Sequence, residues 1–133
     1  MHVGAVFKKI VRKVRQKWPG MKITYREDSG FARSRHLRWC ERNHVDYIVG
    51  LDRNSVLEDI LQPLMEKSKE QFEATGLKAR NFCSFEYAAG SRKGQRRKVI
   101  GKAEYNEHGS NPRFVLTTLN GDPEDIYTTT NTA

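Results

Sequence analysis

The sequence predicts an α/β half followed by an antiparallel β-meander, on three observations. Up to Gly76, stretches of apolar residues at helical spacing alternate with stretches of period two. Val45 to Leu51 is a nearly unbroken apolar run, as in a strand covered on both faces. After Gly76 the period becomes two and stays so to Leu119.

Residues 3–18 read as an amphipathic helix, with Val6, Ile10, Val11 and Val14 inward and six Lys or Arg on the remaining surface; Pro19 and Gly20 stop it. Residues 21–27 alternate as a strand and deliver Asp28 to its end, ahead of a Ser29-Gly30 turn. A carboxylate at a strand's C-terminal end stands where an open α/β sheet places its chemistry. Residues 32–43 return to helical spacing, with Leu37 and Cys40 inward and Arg33, Arg35, Arg38 and Arg42 outward. After the apolar strand, residues 56–74 form the clearest helix. Ser55 and Glu58 offer a capping box, and Val56, Leu57, Ile60, Leu61, Leu64 and Met65 form one stripe. Pro63 is expected to kink this helix and Gly76 to end it. Strands follow at 82–87, 97–105 and 114–119, separated by loops rich in Gly or Ser. Residues 121–133 show no usable periodicity and are expected to be disordered. The organisation is thus a partial α/β core at 1–76, a β-rich segment at 77–119 and a tail at 120–133.

The chain has 133 residues, 37% hydrophobic and 30% charged, which suits one domain with a modest core and much solvated surface. No apolar run nears the roughly 20 residues of a membrane span, and nothing at the N-terminus reads as a signal peptide. Cys40 and Cys83 give no disulfide framework and read as reduced thiols of a cytosolic protein. The net charge of +8 is unevenly placed: +9 over residues 1–42, −4 over 43–77, +6 over 78–119 and −3 over the rest. Basic blocks of this kind suit a polyanion, because phosphate neutralisation releases condensed counterions.

Among candidate sites, Asp28 in isolation reads more readily as a turn or helix-cap residue than as a metal ligand. Asp52, before a helix, reads as a cap. His36, His44 and His108 have no partners at zinc spacing. Residues 90–94 lack the ending of a phosphate loop and read as a hairpin turn. Arg92, Lys93, Arg96, Arg97 and Lys98 surround that tip and form the best DNA-contact cluster; the competing reading is a charged edge that blocks strand addition. Trp18 and Trp39 read as packing residues.

An ordered series of segments resembles the DDE transposases of bacterial insertion sequences. The series comprises Trp18-Pro19, the Arg-x-Asp-Ser-Gly-Phe string from Arg26 to Phe31, Trp39-Cys40-Glu41, Val45 to Leu51 with Arg53-Asn54, Gly101-Lys102-Ala103-Glu104 and Asn111 to Val115. The resemblance spans roughly residues 3–127. It implies an RNase H-like core interrupted by a β-rich insertion, and Mg²⁺-dependent cleavage and joining of DNA. Asp28 is the one catalytic, metal-binding residue it carries over; Glu27 replaces a small residue and is expected to point away from a metal. The family's first aspartate is expected upstream of Met1 and its glutamate downstream of Tyr127, so the chain reads as an internal fragment, inactive alone. Expected partners are transposon-end and target DNA and, in intact relatives, a second copy. No membrane and no small-molecule cofactor are expected, and the expected location is the bacterial cytoplasm, at the nucleoid. A standalone basic nucleic-acid-binding protein without chemistry is the alternative.

Overall fold

A computed structural model describes residues 3–27, 34–88 and 96–129. The elements are α1 (Val3–Lys17), β1 (Ile23–Glu27), α2 (Ser34–Arg42), β2 (Val45–Leu51), α3 (Ser55–Thr75), β3 (Ala79–Tyr87), β4 (Arg97–Asn106), β5 (Gly109–Thr117) and α4 (Pro123–Thr129). The five strands form one mixed sheet in the order β1-β2-β5-β4-β3. β1 and β2 are parallel and joined through α2; every other pairing is antiparallel. The α/β half and the meander therefore share one sheet, because β5 pairs with β2. Ile23 opposes Val45, and Ile48 opposes Thr117, so the strands read at 21–27 and 45–51 both lie within the sheet.

Period two sorts the strand residues onto two faces. One carries Val45, Tyr47, Val49, Val99, Ala103, Phe114 and Leu116, and Val11, Leu37, Cys40, Leu57, Leu61 and Met65 of the first three helices complete its core. The other carries Ile48 and Ile100, with Phe82 and Val115 beside them, under Ile126 of α4.

The contacts revise several expected stripes. On α1, Phe7 and Val11 face the core, while Val6 and Ile10 are exposed. Phe7 sits between Tyr25 and Trp39, with ring centroids 4.7 and 5.9 Å away, and this aromatic seat sets the helix's rotation. On α3 the buried stripe is Leu57, Leu61, Met65 and Ser68, narrower than expected because the helix meets one flat face; Val56 and Ile60 are exposed. Its cap is Asn54, whose side chain accepts from the Leu57 amide at 2.9 Å, while Glu58 pairs with Arg53. Pro63 lies within the continuous helix on its exposed side, where water can satisfy the carbonyl that proline cannot. Gly76 ends the helix at φ 74°, with its amide donating to the Phe72 carbonyl at 2.7 Å. Arg38, expected outward, is half-buried, and its Nε is enclosed with no hydrogen-bond partner among the described residues.

The expected disordered tail is corrected over 123–129. Asp122 caps a short helix by accepting from the Asp125 amide at 3.2 Å, Pro123 occupies its first position, and Ile126 is buried against the sheet. Seven residues are too few for periodicity to reveal.

Ser68 anchors α3 to β4. Its hydroxyl donates to the Ala103 carbonyl at 2.6 Å and accepts from Asn81 Nδ2 at 2.8 Å. Ala103's register partner on β5 is Pro112, which has no N–H to give. Ser68 is fully buried, so Ser68→Ala should cost about 1–3 kcal/mol by leaving buried polar groups short of partners. Urea unfolding should show a lower midpoint with an unchanged slope; a wild-type midpoint would refute the anchoring role.

Candidate nucleic-acid interface

The parallel pair β1–β2 ends at Glu27 and Leu51, so Asp28 and Asp52 are the next residues along the chain. Asp28 lies outside the described residues, as do Arg92 and Lys93. The Glu27 carboxylate accepts from the Tyr25 hydroxyl at 2.8 Å, on the face that α1 and α2 cover. Burial and then that bond push the Tyr25 phenol up to about 12, so it stays a neutral donor. His36 stacks edge-on to Tyr25 at 4.7 Å, and burial keeps its imidazole below the ordinary value despite the nearby Glu27 charge. The Cys40 sulfur is 3.9 Å from His36 Nε2, but Cys40 is fully buried, and burial followed by the Glu41 charge pushes its thiol up to about 11. A thiol so placed is a poor nucleophile. Asp52 is exposed on the connection to α3, with Asn54, two residues later, as the cap.

Among the described residues, no three His, Cys, Asp or Glu side chains group closely enough to hold a metal. Glu27 is held by Tyr25, and the described residues do not fit a two-metal set.

Of the predicted hairpin cluster, the three described cations Arg96, Arg97 and Lys98 diverge. Arg96 is exposed, 3.6 Å from an equally exposed Glu86. Arg97 turns to the helix-covered face, where Nε and Nη2 donate to the Glu41 carboxylate at 3.0 and 3.2 Å. The Tyr47 hydroxyl donates to the same carboxylate at 2.7 Å. Lys98 turns to the opposite face and donates to the Leu119 carbonyl at 2.8 Å. Strand alternation thus splits three consecutive cations. The register also separates them from the end of β1: Glu27 aligns through Val49 and Leu116 with Val99, three strand spacings or about 14 Å across the sheet.

Helix α1 adds a second basic surface. Arg15 donates to the Asn43 and His44 carbonyls at 2.7 and 2.8 Å, which ties the helix to the α2–β2 turn. Lys9, Arg12, Lys13 and Lys17 remain exposed along the helix.

The Gly101–Glu104 and Asn111–Val115 motifs become one unit, since Gly101, Lys102, Ala103 and Glu104 oppose Phe114, Arg113, Pro112 and Asn111 in turn. Glu104 is nearly buried and accepts from Asn106 and Asn111 at 3.0 and 3.1 Å, with Lys102 at 3.5 Å. Burial alone would raise its carboxyl, but the Asn111 bond, the Lys102 charge and the Asn106 bond outweigh it, and the net shift is downward. The sequence shows both motifs but not that they face each other.

A family model described as Transposase DDE domain group 1 matches residues 1–133. Comparison with curated proteins and with solved structures gives no match.

Proposed function

Because the chain belongs to the transposase DDE domain group 1 family, we propose that it is a DNA-binding portion of a transposase core of insertion-sequence type. In this reading residues 3–76 supply part of an RNase H-like core, and β3 to β5 are the β-rich insertion. The observation that carries it is the whole-chain family match, on a sheet whose parallel pair ends at Glu27, directly before Asp28.

Transposases of this type use divalent metal ions, which activate the attacking oxygen and steady the leaving one. Asp28 is proposed as a ligand, with Mg²⁺ the expected ion. Two-metal chemistry needs several converging carboxylates, and the described residues hold no such set. The isolated chain is therefore proposed to bind DNA without cutting it. Arg96, with Arg92 and Lys93, supplies phosphate contacts at one hairpin, and the exposed cations of α1 supply others. The Arg96–Glu86 pair is solvent-exposed and worth little, so a phosphate can displace it. Arg97 and Lys98 are committed to Glu41 and Leu119 and act in the fold.

Duplex DNA binding should weaken steeply between low and moderate salt, with no strand cleavage in Mg²⁺ or Mn²⁺. Salt-independent affinity would refute the electrostatic reading. Metal-dependent nicking abolished by Asp28→Ala would refute the inactivity of the isolated chain.

A further inference from the structure

We propose that Arg80 and Arg113, flanked by Lys78 and Lys102, form a phosphate-binding row on the far half of the meander that takes the backbone of duplex DNA. The proposal rests on the DNA-binding reading above and names a surface that the hairpin cluster does not include.

The row follows from register. Lys102 opposes Arg113 directly, and Arg80 opposes Glu104. Period two places Arg80, Lys102 and Arg113 on the face that carries Ile100 and Val115, and Lys78, just before β3, is near enough for its charge to act on Glu104. Like charges directly opposite one another on a sheet are destabilising, and the one acid in the row only partly offsets this. Glu104 is held by Lys102 and two asparagine amides. Lys102 is further engaged by the Tyr127 ring, 5.2 Å from its Nζ. Arg80 and Arg113 are exposed, and among the described residues neither makes a hydrogen bond or ion pair. Among the described residues no acid pairs with either arginine, those of α4, Glu124 and Asp125, included. Glu107 lies beside His108 at the exposed β4–β5 turn, and Asp52, which follows Leu51 on β2, makes no ion pair with Arg113.

Coverage and direction support the same assignment. Helix α4 shields Ile48, Ile100, Phe82 and Val115 but leaves Arg80 and Arg113 in solvent. β4 runs parallel to β1 through two antiparallel steps, and Glu27 aligns with Val99. β4 then continues seven residues to Asn106, about 23 Å in the direction in which β1 delivers Asp28. The row thus lies at the end of the sheet toward which β1 points, whereas β3 ends and β4 begins at the other. Two arginines on a rigid ladder suit phosphate, because each guanidinium presents a planar fork of donors to phosphate oxygens.

The test is fluorescence anisotropy of a labelled DNA duplex across a salt series, with wild type, R80Q/R113Q and the control K67Q, which removes an exposed cation on α3. Both arginines are exposed, so thermal melts of the double variant should match wild type. Each lost phosphate contact lowers the slope of log affinity against log salt by about 0.9, so R80Q/R113Q should lose about two while K67Q leaves the slope unchanged. A wild-type slope in R80Q/R113Q, with DNA binding intact, overturns this surface and leaves the wider reading standing. Equal losses in K67Q and the double variant also overturn it, since they show only bulk charge. Absence of salt-dependent binding by wild type overturns both.

Discussion

Gly101→Val should destabilise the protein by about 3 kcal/mol, near the upper end of overpacking costs. A Cβ at this position would stand 2.9 Å from Leu61 Cδ1 and 3.5 Å from the Phe114 ring. Leu61 and Phe114 are 1% and 3% exposed, so neither can swing into open space. Leu61 of α3 lies over Gly101 and fills the room that glycine leaves. A branched side chain would have to lift α3 from the sheet and strain the Ser68–Ala103 anchor two residues further along β4. Gly101→Ala should cost less, about 1–2 kcal/mol, because one methyl can be met by a small shift. Gly20→Ala is the control, with no atom within 4 Å of its added methyl. Chemical denaturation of the three variants reads the order directly. A Gly101→Val midpoint equal to that of Gly20→Ala would show that α3 does not sit on Gly101.

The features legible in the sequence are those set by neighbours along the chain. Pro19 and Gly20 stop α1 at Lys17, and Gly76 ends α3 through a left-handed turn, both as local backbone chemistry requires. The Val45–Leu51 run is buried on both faces, with Val49 against the three helices and Ile48 under α4. What the sequence hides is set by partners distant in the chain. Spacing allows Val6 or Phe7 to lead the inner stripe of α1, and the Tyr25 and Trp39 rings select Phe7. The placement of β5 beside β2 rests on contacts such as the Thr117 hydroxyl donating to the Tyr47 carbonyl at 2.9 Å, across 70 residues of chain. Helix α4 had a readable start in Asp122-Pro123, but only Ile126 commits its short length to the sheet. The candidate site divides in the same way. Asp28 is legible as the residue after a strand, whereas Lys102 and Arg113 become neighbours only through register.

Arg97→Ala should cost about 2 kcal/mol, while Arg96→Ala one residue earlier should leave stability within about 0.5 kcal/mol of wild type. The two arginines are adjacent in a basic run and look equivalent in sequence. In the fold, the Arg97 side chain is 9% exposed and the Arg96 side chain 65%. Arg97 completes a lock in which one Glu41 carboxylate accepts from both the Arg97 guanidinium and the Tyr47 hydroxyl. The lock joins the last turn of α2 to the centre of β2 and the first residue of β4, so three elements meet at one carboxylate. Removing one partner of a buried ion pair costs about 3–5 kcal/mol; the Glu41 side chain is 34% exposed and regains water, which lowers the figure. Tyr47, 1% exposed, would keep its bond to Glu41 but lose the cation that balances the carboxylate. Denaturant melts of the two single variants separate the roles, and DNA titration of the same proteins supplies the second axis. Arg96→Ala should weaken DNA binding at unchanged stability, and Arg97→Ala should lower stability first. Equal stability losses in the two would mean that Glu41 does not distinguish them, and the lock would have to be abandoned.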